Sequence, residues 1–309
     1  MKLVTFNTGT TPSIGEKRYR VGAFVGENEI ADLTPSILPL GLSAAEILRC
    51  YDLDIDFVTP AMEAIASGNL PVLDRNDLKI EAPVPRPSKI ICIGLNYRDH
   101  VEESGAEIPK SPLIFSKFVS CVAAAGDPIL LPIGSEQVDF EAELAIVIGR
   151  RGKNIPASNA MDHVFGYTNF NDVSARDMQF ADGQWQRGKS CDSFAPFGEF
   201  VATKDEIGDP HELNIQFRLN GKTMQNSNTR ELIFRIPELI EFLSRTITLE
   251  PGDIIATGTP PGVGFARKPP VFLQDGDVCE VEIAGLGILS NPVKMQEPHV
   301  SKCKLAVLR

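Results

Sequence analysis

The chain has 309 residues, 41 acidic and 30 basic, with a net charge of −11 and 43% hydrophobic residues. That length fits one large domain or two smaller ones with a sizeable core. The acidic balance argues against a nucleic-acid phosphate backbone as partner, and no apolar run approaches the roughly 20 residues of a membrane helix.

At the N-terminus, Leu3, Val4 and Phe6 suggest a first strand rather than the long apolar segment of a secretory signal. The Ser-, Thr- and Lys/Arg-containing start leaves a transit peptide open, so the expected location is cytoplasmic with a mitochondrial one not excluded. Strands are predicted over Tyr19–Val25 and Glu29–Asp32, and helices near Ser43–Tyr51 and Thr59–Ser67. The stretch EAPVPRPSK, Glu81–Lys89, holds three prolines, which favour extended backbone, and is expected as a linker. This divides the chain into a small N-terminal α/β domain (residues 1–80), the linker (81–89) and a larger domain (90–309).

Beyond the linker, strands are predicted over Ile90–Ile93, Leu113–Lys117, Glu141–Ile148, Leu213–Leu219, Asp253–Ala256 and Val278–Ile283. Turn signals stand at Asn220–Gly221, Pro251–Asp253 and Asp275–Gly276. A helix is expected near Ile236–Ser244 with Pro237 in its first turn. This is not the regular alternation of a doubly wound fold. The six cysteines form no CxxC pair and are expected as free thiols in a reducing compartment. The four histidines are too scattered for a zinc motif.

Five stretches could carry chemistry. In DFEAE, Asp139, Glu141 and Glu143 alternate, so on a strand they would share one face and repel one another. A divalent cation taking oxygen ligands would relieve that; so would an exposed edge protected by charge. In NFNDVSARDMQ, Asp172 is a further oxygen ligand or a turn residue. In GLNYRDHVEESG, His100 and Glu103 are helical neighbours. A carboxylate-held histidine makes a general base, although the spacing equally suits a solvated helix start. In QRGKSCDSF, Lys189 could stabilise an enolate or carboxylate, or lie on the surface. In ATGTPPGVG, Ala256–Gly264, backbone N–H groups could hold an anion, but the GK[ST] ending of a P-loop is absent.

Taken together and in this order, from about Ile90 to Val293, these motifs make the chain resemble the fumarylacetoacetate hydrolase superfamily. The continuation GFARKPPVFLQDGD, Gly264–Asp277, points to one branch of it. The resemblance implies an α+β fold: a mixed β-roll/β-sandwich catalytic domain, usually in a homodimer. It implies magnesium or manganese (calcium can replace them in crystals) held by Glu141, Glu143 and Asp172, with Asp139 outside the ligand set. His100 and Glu103 match the family's lid dyad, Lys189 its active-site lysine, and Thr259 its substrate-carboxylate contact. Arg176 and Gln179 are the further substrate-binding candidates. The polar stretch from His100 to about Pro112 is expected to form a lid over the site.

The implied substrates are 2-oxo or 2,4-dioxo acids. The leading expectation is hydrolysis of a carbon–carbon bond, of acylpyruvate or fumarylpyruvate type. The alternative is an isomerase: an oxaloacetate keto–enol tautomerase or decarboxylase, or an enzyme of 2-hydroxyhepta-2,4-diene-1,7-dioate type. A non-catalytic metabolite-binding protein is the third reading, disfavoured by the intact dyad and lysine. No nucleic acid or membrane is expected as partner.

Overall fold

Ala142–Ile148 is apolar apart from Glu143 and buried along its whole length, as expected for a strand covered on both faces. It lies inside an eleven-stranded mixed sheet. From one edge the sheet runs Val72–Asp74, Glu29–Asp32, Arg20–Phe24, Lys2–Asn7, Phe200–Thr203, Val164–Asn171, Ala142–Ile148, Ile254–Ala256, Ile90–Gly94 and Leu113–Lys117, with Lys79–Ile80 also paired to Lys2–Asn7. All these pairings are antiparallel except that of Ile254–Ala256 with Ile90–Gly94. The computed structural model describes residues 1–7, 19–34, 58–181 and 183–297. The helix expected at Ser43–Tyr51, together with Cys50 and Cys303, lies outside them.

A second sheet of five strands runs Lys222–Asn228, Asn214–Leu219, Val278–Ile283, Gly287–Met295 and Ile129–Leu131. Its first hairpin turns at Asn220 and Gly221, both at positive φ (52° and 76°), the backbone an Asn-Gly pair adopts most readily. Phe140, beside the first sheet, stacks on Phe217 of the second with ring centroids 4.1 Å apart. Helices are few. Ile236–Ser244 starts with Pro237, and Glu238 accepts the Arg235 amide at 2.8 Å. The fold is the sheet-dominated α+β architecture expected.

The stretch expected as a linker is less free than its prolines suggest. Glu81, Ala82 and Val84 are buried, and Thr5 donates its hydroxyl to the Pro83 carbonyl at 2.8 Å. The N-terminal strands join the main sheet where Leu3 pairs with Val201. Four described cysteines are free thiols, with Cys92, Cys121 and Cys279 buried.

Candidate active site

The register of two antiparallel strands builds the acidic cluster. Ala142 lies opposite Asn171, so Glu141 and Asp172 emerge at the same end of the pair. The Asp172 amide donates to the Glu141 carbonyl at 2.9 Å, and the Glu141 amide to Asn171 Oδ1 at 3.0 Å. Glu143, two residues on, brings its carboxylate to the same cluster. All three are buried, and their carboxylate oxygens lie within 4.8 Å of one another.

Asp139 does not join this cluster. Strand geometry is interrupted between Val138–Asp139 and Ala142–Ile148, which cancels the alternation. Asp139 instead accepts the amides of Gly264 at 2.7 Å and Phe265 at 3.0 Å and pairs with Arg176 Nε at 2.9 Å. Gly264 is tightly seated: a Cβ there would lie 1.9 Å from the Val271 carbonyl oxygen and 2.6 Å from Asp139 Oδ1.

Three buried cations serve three of the four carboxylates, Asp139, Glu141 and Asp172. Lys189 Nζ meets Glu141 at 2.7 Å and Asp172 at 2.8 Å. Arg176 meets Glu141 at 2.6 Å as well as Asp139. Lys117 Nζ meets Asp172 at 2.5 Å and the Val173 carbonyl at 3.0 Å. Lys189 is only 1% exposed, so the surface alternative falls away; Gly188 makes room, since a Cβ there would lie 2.5 Å from the Gln179 amide nitrogen. Lys117 is the functional candidate the sequence reading missed. Its only signal is a lysine closing the apolar strand LIFSK.

Charge distribution separates the carboxylates. Burial would raise the Glu141 carboxyl, but Lys189 and Arg176 outweigh it and hold it well below the usual range. Burial, then the charges of Asp172 and Glu141, push the Glu143 carboxyl well above that range. Burial would lower Lys189, but Asp172 and Glu141 keep it above its ordinary value. Glu143 accepts the Gly258 amide at 2.9 Å and, among the described residues, has no cation of its own. Three convergent oxygen donors, one short of positive charge, fit a hard divalent cation.

The cluster forms the floor of a cavity of about 490 Å³. Phe115, Trp185, Phe180 and Phe265 contribute apolar wall. Helix Arg98–Ser104 contributes His100 and Glu103, with His100 Nδ1 3.3 Å from Glu103 Oε2. Glu103 also accepts the Gly262 amide at 3.0 and 3.1 Å, while Asp99 takes the Ser227 hydroxyl at 2.5 Å. The first turns of the expected lid are therefore helical and docked. Gly105, at φ +63°, ends them.

The remaining candidates also line the cavity. The Thr259 hydroxyl donates to the Ala142 carbonyl at 3.0 Å and accepts from Gln225 at 2.8 Å. Contact with a substrate carboxylate would require this hydroxyl to turn. Gln179 accepts from Arg176 at 3.0 Å, so Arg176 is spread over Asp139, Glu141 and Gln179. Asn96 also escaped the sequence reading: it donates to the Phe234 and Thr257 carbonyls at 3.1 and 2.8 Å, bracing the glycine loop from below.

The family described as "Fumarylacetoacetate (FAA) hydrolase C-terminal" matches residues 89–294, and the chain belongs to that family of enzymes. Within it, the chain is 52% identical over 297 residues to "Oxaloacetate tautomerase FAHD2A, mitochondrial" of Bos taurus, covering 95% of this chain and 91% of that protein. Among solved structures it resembles the fumarylacetoacetate hydrolase of Exiguobacterium antarcticum (TM-score 0.81, 37% identity, 96% of this chain, 100% of that one). It also resembles the maleylpyruvate hydrolase of Sphingobium sp. SYK-6 in complex with manganese(II) and pyruvate (TM-score 0.77, 32% identity, 96% and 100%). Between the expected activities, the curated similarity favours the tautomerase alternative over the carbon–carbon hydrolase. Among the described residues, no helix is long and apolar enough to cross a membrane.

Proposed function

We propose that this enzyme is an oxaloacetate keto–enol tautomerase working with magnesium or manganese. The observation that carries this is the 52% identity, along 95% of the chain, to a protein named for that activity. The floor of the cavity is the supporting chemistry. Held by Glu141, Glu143 and Asp172, a divalent cation would supply Lewis acidity toward a 2-oxo acid.

The side chains divide the rest of the work. Lys189 stays an ammonium, because two carboxylates hold its proton. It stabilises negative charge developing at the 2-oxo oxygen instead of acting as a base. His100 supplies the base. An ionised carboxylate only accepts, so His100 Nδ1 donates to Glu103 and Nε2 keeps a bare lone pair. In the keto-to-enol direction Nε2 takes a proton from carbon 3, leaving an enolate, and the imidazolium so formed passes that proton to the 2-oxo oxygen to give the enol; the other direction runs the same two transfers in reverse. The Gly262 amide keeps Glu103 in place behind the histidine. Arg176 and Gln179 hold the floor in shape, and Thr259 borders the carboxylate end of the substrate. A homodimer and a cytoplasmic or mitochondrial location go with this reading as parts of the proposal; the bovine relative's name includes "mitochondrial".

The test follows the enol absorbance of oxaloacetate and, separately, pyruvate release from acetylpyruvate, each with magnesium, manganese or a chelator. Metal-dependent enol–keto conversion well above the spontaneous rate is expected. Rapid acetylpyruvate cleavage with no acceleration on oxaloacetate would replace this reading by the hydrolase.

A further inference from the structure

The cations that line the cavity are unequally occupied. Lys189 and Arg176 are spent on Glu141, Asp172 and Asp139. Lys268 lines the same cavity, is exposed, and has no carboxylate partner among the described residues. Its backbone is held from both sides. Arg267 is anchored through Nε to the Gly262 carbonyl at 3.1 Å and through its guanidinium to the Met224 carbonyl. Pro269 and Pro270 follow and restrict the chain.

We infer that Lys268 recognises the distal carboxylate of a dicarboxylic 2-oxo acid. This deepens the proposed function and takes the orientation of the substrate from it. With the 2-oxo acid end at the floor, a carboxylate on carbon 4 points away from Glu141 and Glu143 toward the mouth. The aromatic walls offer it no charge, and Glu103 would repel it were it not turned toward His100 and the Gly262 amide. An unpaired lysine on a braced loop is the complementary group. A 2-oxo acid with an uncharged tail gains nothing from it. Lys268 is therefore a determinant of specificity, separate from the groups that move the proton.

The experiment measures binding of two 2-oxo acids, differing only in the distal group, to the manganese-loaded enzyme by calorimetric displacement. Oxaloacetate is compared with 2-oxobutanoate, in which a methyl group replaces the distal carboxylate. The wild type should prefer oxaloacetate. In Lys268→Met that preference should fall about tenfold, the loss for one hydrogen bond to a charged group. Lys268→Arg should restore most of it, and Lys268→Glu should invert it. A wild type without preference, or an unchanged preference in Lys268→Met, would overturn the assignment. The enol assay is read independently. A Lys268-dependent preference without tautomerisation would sink the proposed function alone. Tautomerisation with an undiminished preference in Lys268→Met would sink this inference alone.

Discussion

The floor and the mouth of the cavity are built on opposite principles. At the floor, Asp172, Lys117 and Lys189 are almost fully buried, and the side chains interlock through short ion pairs. At the mouth, the His100 and Glu103 side chains are 13% and 30% exposed, and one histidine–carboxylate contact is backed by an amide. Buried charges must be held by partners, because an uncompensated one costs several kcal/mol. Groups at the mouth can move at little cost to the fold. The floor is therefore suited to fixed charge, and the mouth to proton transfer and to choosing the substrate.

Breaking the floor should have the largest effect. Glu141→Ala removes a metal-ligand candidate and leaves Lys189 and Arg176 short of a carboxylate. The enol–keto rate is expected to fall by roughly 10⁴-fold or more, since a Lewis acid contributes several kcal/mol. Manganese affinity, followed by electron paramagnetic resonance, should fall with it. Glu141→Gln, nearly the same shape, should show the same loss in a folded protein. Full activity of either variant in the presence of a chelator would overturn the metal-centre assignment.

Breaking the mouth should leave the floor intact. His100→Ala is expected to lower kcat by roughly 10²–10⁴-fold, the range for losing a general base. Manganese binding should stay within about twofold, because His100 lies outside the carboxylate cluster. A full enol–keto rate in His100→Ala would show that another group carries the proton.

Lys117→Met tests whether the floor is held by charge compensation. It strips Asp172 of one of its two lysines. Metal-free, the variant should be destabilised by about 3–5 kcal/mol, the cost of breaking a buried pair. Urea unfolding in the presence of manganese should narrow the gap to wild type, because the ion supplies positive charge at the same carboxylates. A gap that stays the same with and without manganese would contradict this.

The smallest effect is expected outside the cavity. Asp177 accepts Ser135 Oγ at 2.7 Å and the Glu136 amide at 2.9 Å, steadying the helix that carries Arg176. What burial it has would raise its carboxyl, but these hydrogen bonds lower it on balance. A lowered folded pKa contributes stability above the unfolded value, near 4 for aspartate. That contribution disappears as pH falls through the folded value. Asp177→Asn should thus cost less than about 1 kcal/mol at pH 7, given the group's exposure. The difference from wild type should shrink in unfolding curves recorded below about pH 4.

Local chemistry was legible in the sequence; pairings across long separations were not. Glu141 and Glu143 could be placed together because strand alternation is a local rule. Asp139 obeys the same spacing but leaves the cluster, because the strand breaks at Phe140 and Glu141. Lys117 lies 55 residues before its partner Asp172, and nothing near it in the chain announces an anion. The pairing of Leu3 with Val201, which ties the N-terminal strands into the main sheet, is set by tertiary packing. Lys189 could be read as surface or site until the room made by Gly188 showed it inward. The family motifs singled out the carboxylates and the dyad as candidates. The ion pairs that hold Lys189 between Glu141 and Asp172 required coordinates.

The glycine loop carries a consequence for how such an enzyme changes. Its amides at Gly258, Gly262 and Gly264 reach Glu143, Glu103 and Asp139 respectively. One short stretch of main chain thus works as a template that spaces three acids drawn from two separate parts of the chain, Glu103 from one and Asp139 with Glu143 from the other. Main-chain hydrogens survive almost any side-chain replacement, so the spacing should outlast sequence drift around it. Residues such as Lys268, just beyond the template, can then be exchanged one at a time. A new substrate tail could be accommodated without re-tuning the floor, which gives protein engineers a natural place to begin.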